Sequence, residues 1–237
     1  MSISGAIAVS VAVLWILFAE RTRPKISRSI GATLSIPMKS LLLAVLLMVP
    51  ANVDVLVVAH FFPSYDVGQY NALATLGKIL IFAPMPFVLI LVPLVTQRHT
   101  HGQNTSRPLI LNMAGTILLL APILTVYWLI PEELVRLVIG EEYLPAAAFL
   151  PWYGSAMALF AVNVLLAHYY LSVRRTRYLV SAVAISLAEV ALIWIVHASF
   201  SQIITILLVG NVLLLVYGTT ELIAPLASRH SRRVHSG

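Results

Sequence analysis

Seven stretches of this chain are apolar over enough length to cross a hydrocarbon layer, and no other feature narrows the possible folds as much. A bilayer core about 30 Å thick takes roughly 20 apolar residues of α-helix. The runs at about 3–19, 37–61, 69–96, 108–130, 146–172, 178–199 and 202–226 meet or approach that length. The first is the shortest, but it has neither the basic leading segment nor the small-residue cleavage site of a signal peptide, so it reads as a spanning helix. Composition agrees: 60% of the 237 residues are hydrophobic and 10% charged. The mean hydropathy is +0.95, whereas soluble domains carry roughly a quarter charged residues. The expected fold class is an all-α polytopic membrane protein with about seven transmembrane helices.

Basic residues set the orientation. Arg21, Arg23, Lys25 and Arg28 follow the first run, Arg98 and Arg107 the third, Arg174, Arg175 and Arg177 the fifth, and Arg229, Arg232 and Arg233 close the chain. The alternate connections hold Arg136 alone, beside Asp66, Glu132, Glu133, Glu141 and Glu142. Basic connections belong on the cytoplasmic side, which puts the C-terminus inside and the N-terminus outside. The net charge of +6 then reads as attraction to an anionic leaflet and its membrane lipids, with no nucleic-acid partner implied.

Several chemistries find no support. Cysteine is absent, which removes disulfides, thiolate zinc sites and a thiol nucleophile. His99 and His101 sit in a polar connection with no carboxylate close in sequence, so a solvated loop is expected and no metal site. Asn104-Thr105-Ser106 matches a glycosylation sequon on the wrong side of the membrane for that machinery. There is no glycine-rich phosphate loop and no nucleophile elbow. The expectation is a non-enzyme with no cofactor and no metal.

An outer N-terminus without a leader reads as the later part of something longer. The connection E-R-T-R-P-K-I-S-R-S-I-G-A-T is long, basic and interrupted by Pro24. Residues 1–19 are therefore expected to be the last helix of a preceding lobe, 20–36 a cytoplasmic basic linker, 37–226 a six-helix lobe and 227–237 a basic cytoplasmic tail.

Two stretches carry a resemblance. Residues 52–70 combine N-x-D with V-G-Q-Y, followed by A-T-L-G-K and a proline-ended helix at L-V-P-L-V; residues 135–150 read V-R-L-V-I-G-E-E-Y-L-P-A-A-A-F-L. Together they resemble the second half of the lipid-linked oligosaccharide (polysaccharide) flippases of the MATE-like, or MOP, transporter superfamily. The resemblance covers essentially the whole chain, aligned to helices six through twelve of twelve, with the first five absent. It implies alternating access between two six-helix lobes without covalent chemistry, in a bacterial inner membrane, for surface polysaccharide or lipopolysaccharide assembly. The implied partners are the lipid-linked oligosaccharide, a missing N-terminal lobe and polysaccharide assembly enzymes. For a phosphate-linked sugar cargo, Lys78 and Lys39 would be the cationic contacts, and Asn52 belongs to the N-x-D motif. A cation-coupled multidrug exporter of the same superfamily is the runner-up, with Asp54 or Glu189 binding H⁺ or Na⁺. A non-transporting membrane scaffold is a third reading.

Ionisable groups inside hydrocarbon cost at least ~2.5–3.5 kcal/mol each and so have partners or face a cavity. If the turn between the second and third runs is centred near Tyr65–Asp66, Asp54 and Lys78 reach similar depth at about 1.5 Å per residue. An Asp54–Lys78 pair is then expected, serving either the substrate or ion path or a purely structural contact. A turn centred near Phe200 sets Glu189 opposite Asn211, for a hydrogen bond across helices. Glu221 falls level with Arg177 as an anchoring pair. Asn163 and His168 read as satisfied interior contacts. Pro50, Pro84, Pro86 and Pro93 interrupt their helices. The one-sided basic connections predict that a periplasmic reporter is silent when fused after Arg177 and active after Glu133; the reverse pattern overturns both orientation and helix count.

Overall fold

The computed structural model describes residues 51–234, and their side chains as far as Leu222 except that of Thr176. The expected helix at 3–19, the linker at 20–36, Lys39, Pro50 and most of the second run lie outside the described residues. Among the described residues there are helices and turns only: α1 Val53–Phe61, α2 Ser64–Phe82, α3 Met85–Thr100, α4 Ser106–Leu129, α5 Pro131–Val138, a 3₁₀ turn Glu141–Tyr143, α6 Leu144–Ala147, α7 Leu150–Ser172, α8 Thr176–Ile195 and α9 Phe200–Val234. Five spans are long and apolar enough to cross a membrane: Ser64–Thr100, Ser106–Leu129, Leu150–Ser172, Arg177–Ile195 and Phe200–Leu222. The all-α membrane class expected from the sequence is the class found.

Prolines place the breaks. Pro63 disfavours helical geometry at the residue before it, and Phe62 is extended at φ −105°, ψ 156°, ending α1. The turn is therefore Phe62–Pro63, not Tyr65–Asp66, and Asp66 sits in the first turn of α2, where a carboxylate suits the helix dipole. The single run expected at 69–96 is two helices parted at Ala83–Pro84, with Pro86 in the opening turn of α3. Pro93 and Pro122 stay inside α3 and α4 without ending them, as membrane helices allow where neighbours satisfy the freed carbonyls. The last turn is Val196–Ser199 ahead of Phe200, and α9 runs on to Val234.

The centre of the bundle is α7. Of its most apolar 18-residue window 78% is buried, against 22–33% in the other four spans. The reason lies in its sequence, L-P-W-Y-G-S-A-M-A-L-F-A-V-N-V-L-L-A-H-Y-Y-L-S. Gly154, Ala156, Ala158, Ala161 and Ala167 are buried small residues that let neighbouring backbones approach, the usual basis of helix association in hydrocarbon. Helices α9, α2, α4 and α3 all pack on α7.

The two ends of the bundle differ in charge. At one end Arg175 donates to the Glu221 carbonyl at 2.9 Å, Arg177 Nε lies 4.0 Å from Glu221 Oε1 as expected, and Thr105 Oγ1 meets the Tyr169 hydroxyl at 3.1 Å. The basic connections 101–105 and 173–175 thus share an end. The exposed His99 and His101 lie at the same end. At the other end Phe62, Phe149 and Phe200 meet ring to ring, and Gln69 Nε2 donates to the Glu142 carbonyl at 2.7 Å.

The short helix α5, Pro131–Val138, is amphipathic. Pro131 opens it, Val135 alone of its residues is buried, and Arg136 pairs with Glu141 at 3.5 Å. Gly140 follows at φ 136°, in a region open to glycine and strained for other residues. Leu137 is 86% exposed and Val138 52% exposed, so α5 turns an apolar edge outward, as a helix lying in a membrane interface does. A spin label at Leu137 is expected at headgroup depth and one at Glu133 in water; a label deep in hydrocarbon at either position would contradict this placement.

Candidate functional site

Asp54 is completely buried and is held by tyrosines. Tyr70 on α2 donates to its Oδ2 at 3.0 Å and Tyr153 on α7 donates to the same oxygen at 2.8 Å. The true position of the α1–α2 turn explains Tyr70. Asp54 is eight residues before Phe62 and Tyr70 seven after Pro63, so the two share a level. The two tyrosine rings meet edge to face at 5.7 Å, and Phe200 closes over Tyr70 at 5.1 Å.

Gly77 makes room for Tyr153. A Cβ there would fall onto the Tyr153 ring, 2.7 Å from Cδ1, and 3.0 Å from Met157 Cγ. The glycine of A-T-L-G-K is thus a notch that seats the ring carrying one of the two donors to Asp54.

No ion pair joins Asp54 to Lys78. Among the described residues the ion pairs are Arg136–Glu141 and Arg177–Glu221, and Lys78 is half-buried on α2. The expected pairing rested on a hairpin centre three residues too late, which carried the partner from Tyr70 toward Lys78. Asn52 is exposed at the N-cap position of α1, with its carbonyl accepting the Leu56 N–H at 3.2 Å.

A second polar cluster joins α7, α8 and α9. Asn163 Nδ2 donates to the Asn211 carbonyl at 2.9 Å and reaches Asn211 Oδ1 at 3.2 Å, while Asn211 Nδ2 donates back to Leu207 O at 2.9 Å. Asn211 therefore pairs with Asn163 and not with Glu189. The Glu189 carboxyl lies one residue away, flat on Gly210: a Cβ at 210 would stand 2.9 Å from Glu189 Cδ and 3.0 and 3.1 Å from its oxygens. Depth was legible to within a residue, but the side of α9 was not. His168 turns its Nδ1 to the Val164 carbonyl of its own helix at 2.8 Å.

The two clusters share an unusual chemistry. Asp54 Oδ1, Glu189 Oε1 and Asn163 Oδ1 are buried acceptors with no hydrogen-bond partner in the protein. Buried polar atoms are satisfied in the great majority of cases, so these three oxygens stand out, as do Gln69 Oε1 and the hydroxyls of Thr116 and Tyr178, which are buried and unpartnered as well. What such an acceptor can take is a proton, a small cation or a water. Among the described residues no three His, Cys, Asp or Glu side chains converge as a metal site requires. Sequence reasoning missed Tyr70, Tyr153, Gly77 and Gly210; Tyr70 and Gly77 stood inside the quoted motifs, and the remaining two had no local signal.

Five described spans around a buried carboxyl define a polytopic all-α membrane protein. The sequence pattern of the polysaccharide biosynthesis protein family matches residues 4–148, more than half of the chain, and the chain belongs to that family. The matched stretch includes Asn52, Asp54, Tyr70, Gly77, Lys78 and Gly140 and stops just short of Tyr153. No curated protein and no solved structure matches the chain.

The tyrosine clamp makes a stability prediction. Tyr153→Phe removes one donor and leaves the carboxyl buried, which should cost about 1–3 kcal/mol. Gly77→Ala dislodges the same ring, so the double variant should fall short of the sum of the two losses. Lys78→Ala should cost less than either. Thermal unfolding of the detergent-purified variants orders them, and a Lys78→Ala loss as large as that of Tyr153→Phe would favour an ion pair over the clamp.

Proposed function

We propose that this chain forms a six-helix lobe of a flippase that carries lipid-linked oligosaccharide across the bacterial inner membrane during surface polysaccharide assembly. Family membership supports the pathway, and the observation that carries the transport reading is the orphaned acidic core. A scaffold that only holds enzymes has no use for carboxyls sealed in hydrocarbon, whereas intramembrane ionisable groups typically mark substrate or ion paths. In this reading Asp54, Glu189 and Asn211 belong to the ion path. Lys78, with no ion pair among the described residues, and Lys39 offer positive charge to the cargo phosphate, and Asn52 at the start of α1 belongs to the same path. No covalent step is involved.

The break at Ala83–Pro84 and the proline within α3 give this lobe the interrupted helices on which alternating access relies. It would rock against a second lobe, with the N-terminus outside, the C-terminus in the cytoplasm and assembly enzymes supplying the cargo. The three unpartnered acceptors also favour a second reading, a multidrug exporter driven by H⁺ or Na⁺.

Deleting the gene separates these readings. The flippase predicts loss of surface polysaccharide, accumulation of its lipid-linked precursor on the cytoplasmic side and unchanged drug tolerance. Restoring the gene with Lys78→Ala should restore protein yield and leave export low. Drug hypersensitivity with intact polysaccharide would establish the exporter instead, and a deletion that leaves both transport readouts unchanged would leave the scaffold.

A further inference from the structure

Two cavities outside the acidic core lie along a single seam. A cavity of about 590 Å³ opens at the basic end, lined by His99, Gln103, Asn104, Thr105, Tyr169 and Arg175 among others. A groove of about 380 Å³ lies deeper, walled by Leu120, Ala121, Leu124, Ala158, Leu159 and Val162. Both run between α4 and α7. Leu109 and Tyr169 line the cavity, Ile117 and Val162 the near part of the groove, and Leu124 and Ser155 its far end. Each step forward along α4 is matched by an equal step back along α7, as one antiparallel seam requires. From Leu109 to Ile117 is about 12 Å at 1.5 Å per residue.

The geometry points to a site for one anionic phospholipid, its headgroup phosphate in the basic-end cavity and one acyl chain in the groove. The polar lining suits a phosphate. Arg175 gives one N–H to the Glu221 carbonyl at 2.9 Å, and a guanidinium has five such donors, so others remain for an anion. Arg174 stands in the same connection as Arg175, and Arg98, Arg107 and Arg177 lie in the terminal turns of α3, α4 and α8 at this end, with Glu221 the carboxylate beside Arg177. Arg174 holds φ 59° just past the end of α7, a place that glycine usually takes, so this end keeps a cation where the backbone favours none.

The groove suits only hydrocarbon. Its one polar side chain, Ser155, already donates to the Pro151 carbonyl at 2.7 Å and accepts from Trp128 Nε1 at 3.3 Å. A free anion could use the cavity and leave the groove empty. A lipid uses both, and the bilayer supplies it at the required depth.

The test uses the whole chain in vesicles of phosphatidylglycerol or of phosphatidylcholine, extracted into mild detergent and weighed by native mass spectrometry. One phosphatidylglycerol per chain should be retained and phosphatidylcholine lost. Arg175→Gln should weaken retention about fivefold, the factor one basic residue contributes at an anionic surface, and Arg175→Lys should restore most of it. Ala121→Phe, at an exposed position in the groove, should abolish retention, and Leu124→Phe supplies the same block if that variant fails to fold. Leu118→Phe, exposed outside the groove, should change nothing. Equal retention of both lipids, insensitivity to the groove variants, or displacement by inorganic phosphate alone would overturn the proposal.

Discussion

A carboxyl group enclosed in hydrocarbon has to be answered by donors, and the answer given to Asp54 fixes how the described helices meet. Bulk water does not reach a fully buried oxygen, so each polar group left unpaired there costs free energy. Two donors come from different helices, Tyr70 from α2 and Tyr153 from α7. To deliver them, the α1–α2 turn must fall at Phe62–Pro63 and α7 must run through the middle of the bundle. Gly77 must leave space for a ring, and Phe200 must cover Tyr70. The small residues of α7 serve the same end, because close backbones bring hydroxyls within reach of a side chain as short as aspartate.

The class of fold and the positions of the spans were legible because hydrocarbon imposes length and polarity on a sequence directly. The span boundaries at 108–130 and 178–199 lie within a few residues of α4 and α8. Azimuth was not legible. A run that is apolar on every side carries no periodic signal of which face meets which neighbour. Glu189 was therefore placed at the right depth and assigned Asn211, when the residue beneath it is Gly210. Asp54 suffered a different error. The polar residues around Tyr65 and Asp66 looked like the turn, but Pro63 makes the break and the polar residues open the next helix. Moving the centre of a hairpin by three residues moves the opposite partner by six, well over one helical turn, and a lysine was read where a tyrosine stands.

The motifs that suggested the family have a physical meaning in the fold. V-G-Q-Y and G-E-E-Y, far apart in sequence, meet at the acidic end. Gln69 bonds the Glu142 carbonyl, and a Cβ at Gly68 would lie 3.9 Å from the Tyr143 ring. Gly140 supplies the backbone turn that brings Tyr143 there. One residue beyond Gln69, Tyr70 holds the carboxyl. The contact between the motifs therefore braces the helix start that aims the first donor, which ties the amphipathic α5 to the core through a few residues.

Clamping by hydroxyls differs from pairing with a lysine in what it permits. A lysine has donors only, so it suits a carboxylate and opposes a protonated acid. A tyrosine hydroxyl donates or accepts by rotating about one bond, and the Tyr70–Tyr153 clamp can hold Asp54 in either state without moving a helix. Both hydroxyls meet Oδ2, which leaves Oδ1 without a hydrogen-bond partner, as are Glu189 Oε1 and Asn163 Oδ1. An ion pair at Asp54 would have consumed that capacity and fixed the charge of the site. The clamp keeps the carboxyl in place and leaves its second oxygen without a partner, so the protonation state of Asp54 can differ while the helices around it stay packed.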